Sequence, residues 1–469
     1  MAVAFLLNGA RVEEAAAAPS MTVLDWLRTR RHLTGTKEGC AEGDCGACTV
    51  ALARPGPDGT LKWEAANSCI LLLSQIDGAA LLTVEGLAAG DDLHPVQRVL
   101  AQSDGTQCGF CTPGIVMSLF VLRQEGAAGP VTDADIHEAL AGNLCRCTGY
   151  RPIVDAARAL CADAPAAEPV PEPPAGALEV AGEGEAHHLP QTLAELVRLR
   201  AADPEAVILA GATDLGLIPA RKRRGFARAI STRRVAELRR IAQEDGALVL
   251  GAAVTYAEGL AAVEAAYPAF GALIRRIGSR QIRAMGTFGG NLATASPVGD
   301  TLPVLLALDA EVEIAGPAGA RRMAVDDFIT GYRRTALAPD EVIAAIRLPL
   351  PVAGETLHAW KLSRRFDQDI STLLGVFRVA GTGSAATLRA AAFGGMAERA
   401  KRARALEALP GGALAASAEV VSAALATDFA PIGDHRASAA YRREAAANLV
   451  ARLALAVTRP DLPLELEAL

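Results

Sequence analysis

Aromatic residues are scarce. The 11 Phe, 5 Tyr and 3 Trp make up 4% of the 469 residues, so tightly packed helices and close backbone approaches are expected in place of bulky ring cores. Long hydrophobic runs are missing too: no stretch of about 18 uncharged apolar residues occurs, which leaves no candidate membrane span. Positive charge is not in excess. The 46 Lys and Arg face 53 Asp and Glu for a net charge of −7, so a nucleic-acid partner has no electrostatic support. The short runs Arg221 to Arg224 and Arg239-Arg240 read as solvated helix ends. Met1 to Leu7 is apolar but short and lacks a basic start, so it reads as a first strand and not as a signal peptide. What is present, 51% hydrophobic and 21% charged residues, is a globular composition long enough for roughly three domains. The expectation is a soluble, cytoplasmic chain with no membrane and no nucleic-acid partner.

Cysteine is absent from roughly two thirds of the chain, all nine lying between Cys40 and Cys161. That clustering excludes a disulfide framework spread through a secreted fold. Cys40, Cys45 and Cys48 follow a C-x4-C-x2-C spacing with Cys69 downstream, the plant-ferredoxin pattern of four thiolates on one [2Fe–2S] cluster. Gly39, Gly43 and Gly46 let such a loop wrap an inorganic core and turn N–H groups toward sulfur. Val3 to Leu7 and Thr49 to Leu52 read as strands and Thr22 to Leu27 as a helix, a small α+β module. A second quartet, Cys108 and Cys111 with Cys145 and Cys147, adjoins the apolar segments Ile115 to Leu122 and Ile136 to Leu140, which puts the ligands at helix ends. Four thiolates accept zinc as well as iron and sulfide, so spacing leaves that site open between them, and a zinc-stabilised binding module is the reading from a different class. Cys161 belongs to neither set and reads as a buried structural thiol.

The surroundings of these quartets are Gly35-Thr36-Lys37-Glu38-Gly39-Cys40, Gly43-Asp44-Cys45-Gly46-Ala47-Cys48, Gln107-Cys108-Gly109-Phe110-Cys111-Thr112-Pro113-Gly114 and Gly142-Asn143-Leu144-Cys145-Arg146-Cys147-Thr148-Gly149-Tyr150. Together they resemble the iron–sulfur half of the molybdenum hydroxylases. The resemblance implies two [2Fe–2S] clusters, iron in place of zinc, a ferredoxin-like β-grasp domain over residues 1–80 and a four-helix [2Fe–2S] domain over 81–162. It also implies that Gln107 lies beside the pterin of a molybdenum cofactor.

Residues 163–186, rich in Pro, Ala, Gly and Glu, read as an extended linker. Beyond it, Leu193, Leu196, Val197 and Leu199 indicate a helix, and Ala206 to Leu209 a buried strand running into the small-residue loop Ala210 to Gly216. Such a loop can offer N–H groups to a phosphate. Met285 to Asp300 is a second glycine-rich stretch with a close-approach glycine pair, hydroxyls, an amide and one carboxylate. It lacks the G-x-G-x-x-G of a nicotinamide-type Rossmann site. Both stretches resemble the FAD-binding domain of the xanthine dehydrogenases and related flavoproteins, an α+β domain of the vanillyl-alcohol-oxidase type, here residues 187–352. By that resemblance Ile208, Leu209, Ala210, Gly211, Ala212, Thr213, Asp214 and Leu215 cradle the FAD pyrophosphate. Thr287, Gly289, Gly290, Asn291, Thr294, Ser296 and Asp300 contact the rest of the cofactor, and Ile343 and Lys361 add two further contacts. Lys361 opens a charged loop to Ile370 that in the family lies near the flavin and influences access of NAD. Ile277 and Ala212 depart from the aromatic residue and the Gly or Asn that relatives often carry there. Residues 353–469, with the apolar Ala391 to Ala397 and a helix from Arg436 to Leu455, resemble a small α/β C-terminal flavoprotein domain of the CO dehydrogenase type.

The resemblance implies an α+β multidomain chain similar to the small, iron–sulfur and FAD subunit of the bacterial xanthine dehydrogenases. A large molybdopterin-binding partner would carry out hypoxanthine and xanthine oxidation to urate, in a heterotetramer of two small and two large subunits. This chain would pass the electrons through its clusters and FAD to NAD. Aldehyde or N-heterocycle oxidation by the partner is the alternative. No side chain here is needed as a catalytic acid or base; His94, His137 and His358 read as isolated packing or surface residues.

Overall fold

Val3–Leu7 alternates buried and half-buried positions, as a strand with one face on a core must. It turns at Asn8 and Gly9, both at positive φ (51° and 82°), and pairs antiparallel with Ala10–Glu14, the hairpin chemistry an Asn-Gly pair favours. In the computed structural model, which describes residues 1–469 except 57, 127–128, 163–166, 411, 463 and 465–469, this hairpin opens the first of two units. Unit one comprises Met1–Arg239 and Gly278–Gly286; unit two comprises Arg240–Ile277 and Thr287–Leu469. The division falls within the 187–352 span expected as one FAD domain.

The first sheet of unit one runs Ala10–Glu14, Val3–Leu7, Ala80–Leu82, Thr49–Pro55, Leu61–Asn67, with Val3–Leu7 and Ala80–Leu82 parallel. One face receives the helix Val23–Thr29, whose first turn is capped by Thr22 Oγ1 accepting from the Asp25 N–H at 3.0 Å. That helix buries Trp26 edge-on against Phe5, 5.3 Å between centroids. The opposite face presents Ala51, Ala53, Trp63 and Ala65 to the helices Pro95–Gln102, Thr112–Gly126, Asp133–Leu140 and Arg151–Cys161, which share one core with it. Small alanines on that face let Thr112–Gly126 lie close to the sheet.

The linker is shorter than its composition indicates. Glu179–Gly182 and Glu185–His188 form an antiparallel hairpin, because Glu183 and Gly184 both take positive φ (48° and 81°) and turn the chain. The hairpin joins a sheet with Arg228–Ser231 and Val207–Leu209. Residues 163–166 of the expected linker lie outside the described residues. Glu168 is also held: its N–H donates to Gln124 Oε1 at 2.7 Å, and its carboxylate meets His94 Nε2 at 2.7 Å. His94 is therefore not isolated; it also caps Pro95–Gln102 by accepting from the Val96 N–H. Arg221 and Arg223, expected as merely solvated, pair with Glu42 and Asp25.

Unit two opens on an antiparallel sheet of order Ile241–Glu244, Ala247–Gly251, Val342–Pro349, Glu311–Gly316, Gly319–Ala324. A second sheet, Glu355–Leu362, Leu373–Ala380, Thr387–Gly394 and Lys401–Arg402, carries the helices Ala418–Asp428 and Ala439–Thr458. Every pairing in it is antiparallel, so the expected small α/β domain is α+β like the rest of the chain; 411, 463 and 465–469 of it lie outside the described residues. The last helix starts later than Arg436 because Ser438 caps it, accepting from the Tyr441 N–H at 3.1 Å. Four of the aromatics, Trp360, Phe377, Phe393 and Phe429, form a run of ring contacts here at 5.9, 5.5 and 5.5 Å. Around these rings the core is filled by Ala, Val and Leu. Among the described residues no helix is long and apolar enough to cross a membrane.

Candidate functional site

The loop from Gly39 to Cys48 is shaped by its glycines. Gly43 and Gly46 lie at φ 77° and 68°, and a Cβ on Gly39 would come within 2.6 Å of Cys45 Sγ. The backbone turns inward as a result: the N–H groups of Glu42, Asp44 and Cys45 donate to Cys40 Sγ at 3.4, 3.3 and 3.3 Å, and the Cys40 N–H donates to Cys45 Sγ at 3.3 Å. Asn67 Nδ2 secures the loop by donating to the Gly43 carbonyl at 2.8 Å. Thiol hydrogen bonds from Cys45 and Cys69 hold Cys40 far below the usual thiol range, while the same contact with Cys40 and then burial push Cys45 up. Cys69 is raised by its contacts with Cys40 and Cys48 and by burial. The four cysteines that spacing grouped are therefore brought together, two of them, Cys48 and Cys69, fully buried.

The second quartet pairs Cys111 with Cys145 and Cys108 with Cys147. Cys111 precedes the helix Thr112–Gly126 and its carbonyl accepts from the Ile115 N–H at 3.1 Å; Cys145 and Cys147 sit between Asp133–Leu140 and Arg151–Cys161. Burial, then the neighbouring Cys145, pushes Cys111 up to about 12. Burial acts to raise Cys145 as well, but hydrogen bonds from the Thr148 side chain and backbone hold it below the usual range. The Thr148 hydroxyl lies 3.3 Å from Cys145 Sγ, and Tyr150 Oη accepts from the Cys145 N–H at 2.9 Å. Sequence reasoning gave neither residue a role, although both lie in the motif. Cys161 is half-buried, not buried, packed against the helical core with its thiol raised by burial.

Among the described residues no three His, Cys, Asp or Glu side chains converge on one ion position; the thiols of the first quartet contact one another in the chain Cys45, Cys40, Cys69, Cys48, and those of the second in two pairs. Four thiolates per site and N–H donors aimed at sulfur suit a [2Fe–2S] core at each quartet, and at the first the crowded Gly39, Gly43 and Gly46 leave no room for a Cβ. Gln107 and Cys108 are exposed, as is Cys147. Phe110, Leu144 and Tyr150 are large exposed side chains in the same two loops.

The flavin residues are distributed over both units. In unit one Ile208 and Leu209 end the strand Val207–Leu209, and Ala210 to Leu215 form the turn after it. A Cβ on Gly211 would lie 1.9 Å from the Met285 carbonyl oxygen. Ala212 does adopt positive φ, 57°, the conformation that makes Gly or Asn common there. In unit two the second glycine-rich stretch is not a loop but the helix Phe288–Thr294, because Thr287 caps it by accepting from the Gly290 N–H at 3.0 Å. Gly289 packs where a Cβ would meet the Ala252 carbonyl at 2.5 Å. Thr294 donates to the Gly290 carbonyl, Ser296 accepts from the Val298 N–H, and Asn291 Oδ1 accepts from the Thr301 hydroxyl. Ile343 is buried in Val342–Pro349.

Asp300 and Lys361, expected to touch the cofactor, engage each other: Nζ donates to Asp300 Oδ2 and to the Arg276 carbonyl, both at 2.8 Å, and the Ser371 hydroxyl donates to Asp300 Oδ1. The Lys361 side chain is 1% and that of Asp300 8% exposed, so the charge pair is enclosed and Ser371 is a member sequence reasoning did not find. The loop after Lys361 folds on itself, the N–H groups of Arg364 and Arg365 donating to Asp369 Oδ2 at 2.7 and 3.0 Å. In unit two the hydroxyls, the Asn291 amide and the close-approach Gly289 are chemically suited to a flavin nucleotide.

Comparison with known proteins gives these parts an order. Residues 5–73 match the 2Fe-2S iron-sulfur cluster binding domain, 83–158 the [2Fe-2S] binding domain, 183–351 the FAD binding domain in molybdopterin dehydrogenase, and 358–457 the CO dehydrogenase flavoprotein C-terminal domain. Taken together, the four matches make the chain similar to the iron–sulfur and FAD parts of molybdopterin dehydrogenases. Xanthine dehydrogenase of Emericella nidulans is 32% identical over 87% of this chain and 35% of its own length. Carbon monoxide dehydrogenase from Hydrogenophaga pseudoflava, in a structure lacking the Mo-pyranopterin moiety, is 29% identical with a TM-score of 0.53, covering 59% of this chain and 98% of that one. Quinoline 2-oxidoreductase from Pseudomonas putida 86 is 27% identical with a TM-score of 0.52, covering 58% and 96%. The chain spans about a third of the length of the curated relatives it matches.

Proposed function

We propose that the chain is the electron-transfer portion of a xanthine dehydrogenase, serving a molybdopterin-binding partner subunit in the oxidation of hypoxanthine and xanthine to urate with NAD as acceptor. The observation that carries it is the pair of thiolate quartets, built in two adjoining domains of one unit and linked where the Leu144 N–H donates to the Cys45 carbonyl at 2.9 Å. When bound, the clusters carry electrons singly while FAD holds a pair and exchanges hydride with NAD. The protein's own part is to hold the ligand sulfurs, donate N–H bonds to them, and keep Cys48 and Cys69 from water. Gln107, Cys108 and Cys147, exposed beside Phe110, Leu144 and Tyr150, form the face assigned to the molybdenum subunit. The purine reading is supported by the likeness to xanthine dehydrogenases over most of this chain. A second reading, the same role in another molybdenum hydroxylase, is favoured by the likeness to carbon monoxide and quinoline enzymes.

The visible spectrum of the purified chain, recorded anaerobically before and after NADH, tests this. Broad iron–sulfur absorption over a flavin band, with both bleaching, is expected. A colourless, zinc-containing protein overturns the reading, and colour without bleaching removes NAD from it. Cys108→Ser should cost one cluster and stop purine-dependent NAD reduction in the assembled enzyme; full retention would sink the ligand assignment.

A further inference from the structure

Gln281 lies in the sequence between the flavin-binding segments, yet its stretch Gly278–Gly286 belongs to unit one, with both quartets. The helical turn Arg280–Arg283 is capped by Ser279, accepting from the Ile282 N–H at 3.3 Å. Arg280 reaches Glu125 at 2.6 Å, and the buried Arg283 reaches Glu138 at 2.7 Å. These pairs bind the turn to Thr112–Gly126 and Asp133–Leu140, the helices that lead from and toward the second quartet. Ile282 packs at Gly43, in the first ligand loop, where a Cβ would come within 3.1 Å of its Cδ1.

Between these anchors the Gln281 side chain, 1% exposed, enters a closed polar hub. Its Nε2 lies within hydrogen-bond distance of Thr49 Oγ1 (3.1 Å), Ser118 Oγ (3.2 Å) and Asn143 Oδ1 (3.3 Å). Ser118 donates to Asn143 Oδ1 at 2.6 Å; Asn143 Nδ2 donates to the Gly46 carbonyl at 3.0 Å, and the Thr49 hydroxyl to the same carbonyl at 2.7 Å. Gly46 stands between ligands Cys45 and Cys48, and Asn143 two residues before ligand Cys145. The backbones meet without side chains between them: a Cβ on Gly46 would lie 2.0 Å from the Gly142 oxygen, one on Gly114 2.1 Å from the Gly46 oxygen, and one on Gly142 2.1 Å from Gln281 Oε1. That Oε1 is buried without a hydrogen-bond partner among the described residues. A core under no constraint but stability does better with an apolar side chain than with a half-satisfied amide.

We propose that Gln281 is a positioning residue for the two iron–sulfur loops: its amide, through Thr49, Ser118 and Asn143, fixes the contact between the Cys45–Cys48 loop and the Asn143–Cys147 loop and so sets the coupling between the two bound clusters. The inference rests on the proposed electron-transfer function. Its test uses the whole chain with its clusters, both reduced by dithionite, and reads the spin–spin splitting between them by low-temperature electron paramagnetic resonance. Iron analysis of the unchanged chain comes first, since a chain without iron overturns the functional reading itself. Gln281→Met keeps the length of the side chain and removes its N–H donors; full iron content with lost or narrowed splitting is the expected result. Leu160→Ala, a cavity in the same core but outside the hub, should leave the splitting intact. Unchanged splitting in iron-loaded Gln281→Met, equal narrowing in Leu160→Ala, or no splitting in the unchanged chain overturns the proposal. Should Gln281→Met fail to hold iron, Ser118→Ala removes one partner of the same amide and decides by the same reading, narrowed splitting supporting the inference and unchanged splitting overturning it.

Discussion

Ala212 carries a cost that its neighbours do not. At φ 57° its Cβ crowds the backbone, which costs an L-residue roughly 1–2 kcal/mol, whereas glycine surrenders about 0.4–1 kcal/mol of unfolded-chain entropy. Ala212→Gly should therefore stabilise unit one by about 0.5–1 kcal/mol, read as a higher urea midpoint at unchanged slope; a lower midpoint would mean that the methyl packing of this buried residue outweighs the strain. Gly46 is the opposite case. Its φ of 68° is combined with a Gly142 oxygen where a Cβ would stand, so Gly46→Ala adds overpacking to backbone strain, about 2–4 kcal/mol. Iron per chain should fall in Gly46→Ala along with the melting temperature, and a fully loaded, equally stable variant would contradict the contact.

At the scale of elements, the strand Glu185–His188 buries a histidine. His187 Nδ1 lies 2.9 Å from Ser74 Oγ and Nε2 3.3 Å from the Phe226 carbonyl, with Glu185 at 3.8 Å. Burial, against the Phe226 hydrogen bond, pushes its pKa down to about 4. The ring is thus neutral when folded, while the unfolded ring titrates near 6.5. As pH falls from about 6.5 to about 4 the unfolded chain takes up a proton that the folded chain does not, so stability declines through that window by on the order of 3 kcal/mol and is unaffected by this group above it. In His187→Gln the slope of stability against pH between about 6.5 and 4 should flatten; a slope equal to that of the unchanged chain would show other groups responsible. Elements of this kind divide into those the sequence announces and those it hides. Val3–Leu7, Val23–Thr29 and Leu193–Ala202 were legible because periodicity and a Thr cap are local signals. The hairpin at 179–188 was hidden because Pro- and Gly-rich composition masks two short strands paired only with each other and a distant segment. The quartets were legible because ligand spacing is chemistry written along the chain. The Asp300–Lys361 pair and the Gln281 hub join residues 61 and 232 positions apart at their hydrogen bonds, and no local pattern marks such partners.

On the scale of the whole molecule, the chain concentrates its metal chemistry in one of two units: all eight candidate ligands lie in Met1–Arg239, and unit two holds none. Cluster binding adds its free energy to whichever unit contains the ligands, because an unfolded loop presents no preformed site. Removing iron should therefore act unequally. A chelator with reductant should lower the calorimetric transition of unit one by about 10 °C or more, while the transition of Arg240–Ile277 with Thr287–Leu469 keeps its temperature and enthalpy. The stretch Gly278–Gly286 complicates this in a testable direction, since it packs with unit one while its chain neighbours on both sides belong to unit two. Loss of unit one frees that stretch without removing a strand of either unit-two sheet, so unit two should keep its antiparallel sheets and its own melting signal in the iron-free protein. Two transitions moving together on iron removal would show that the chain unfolds as one cooperative block and that the division into units has no thermodynamic meaning.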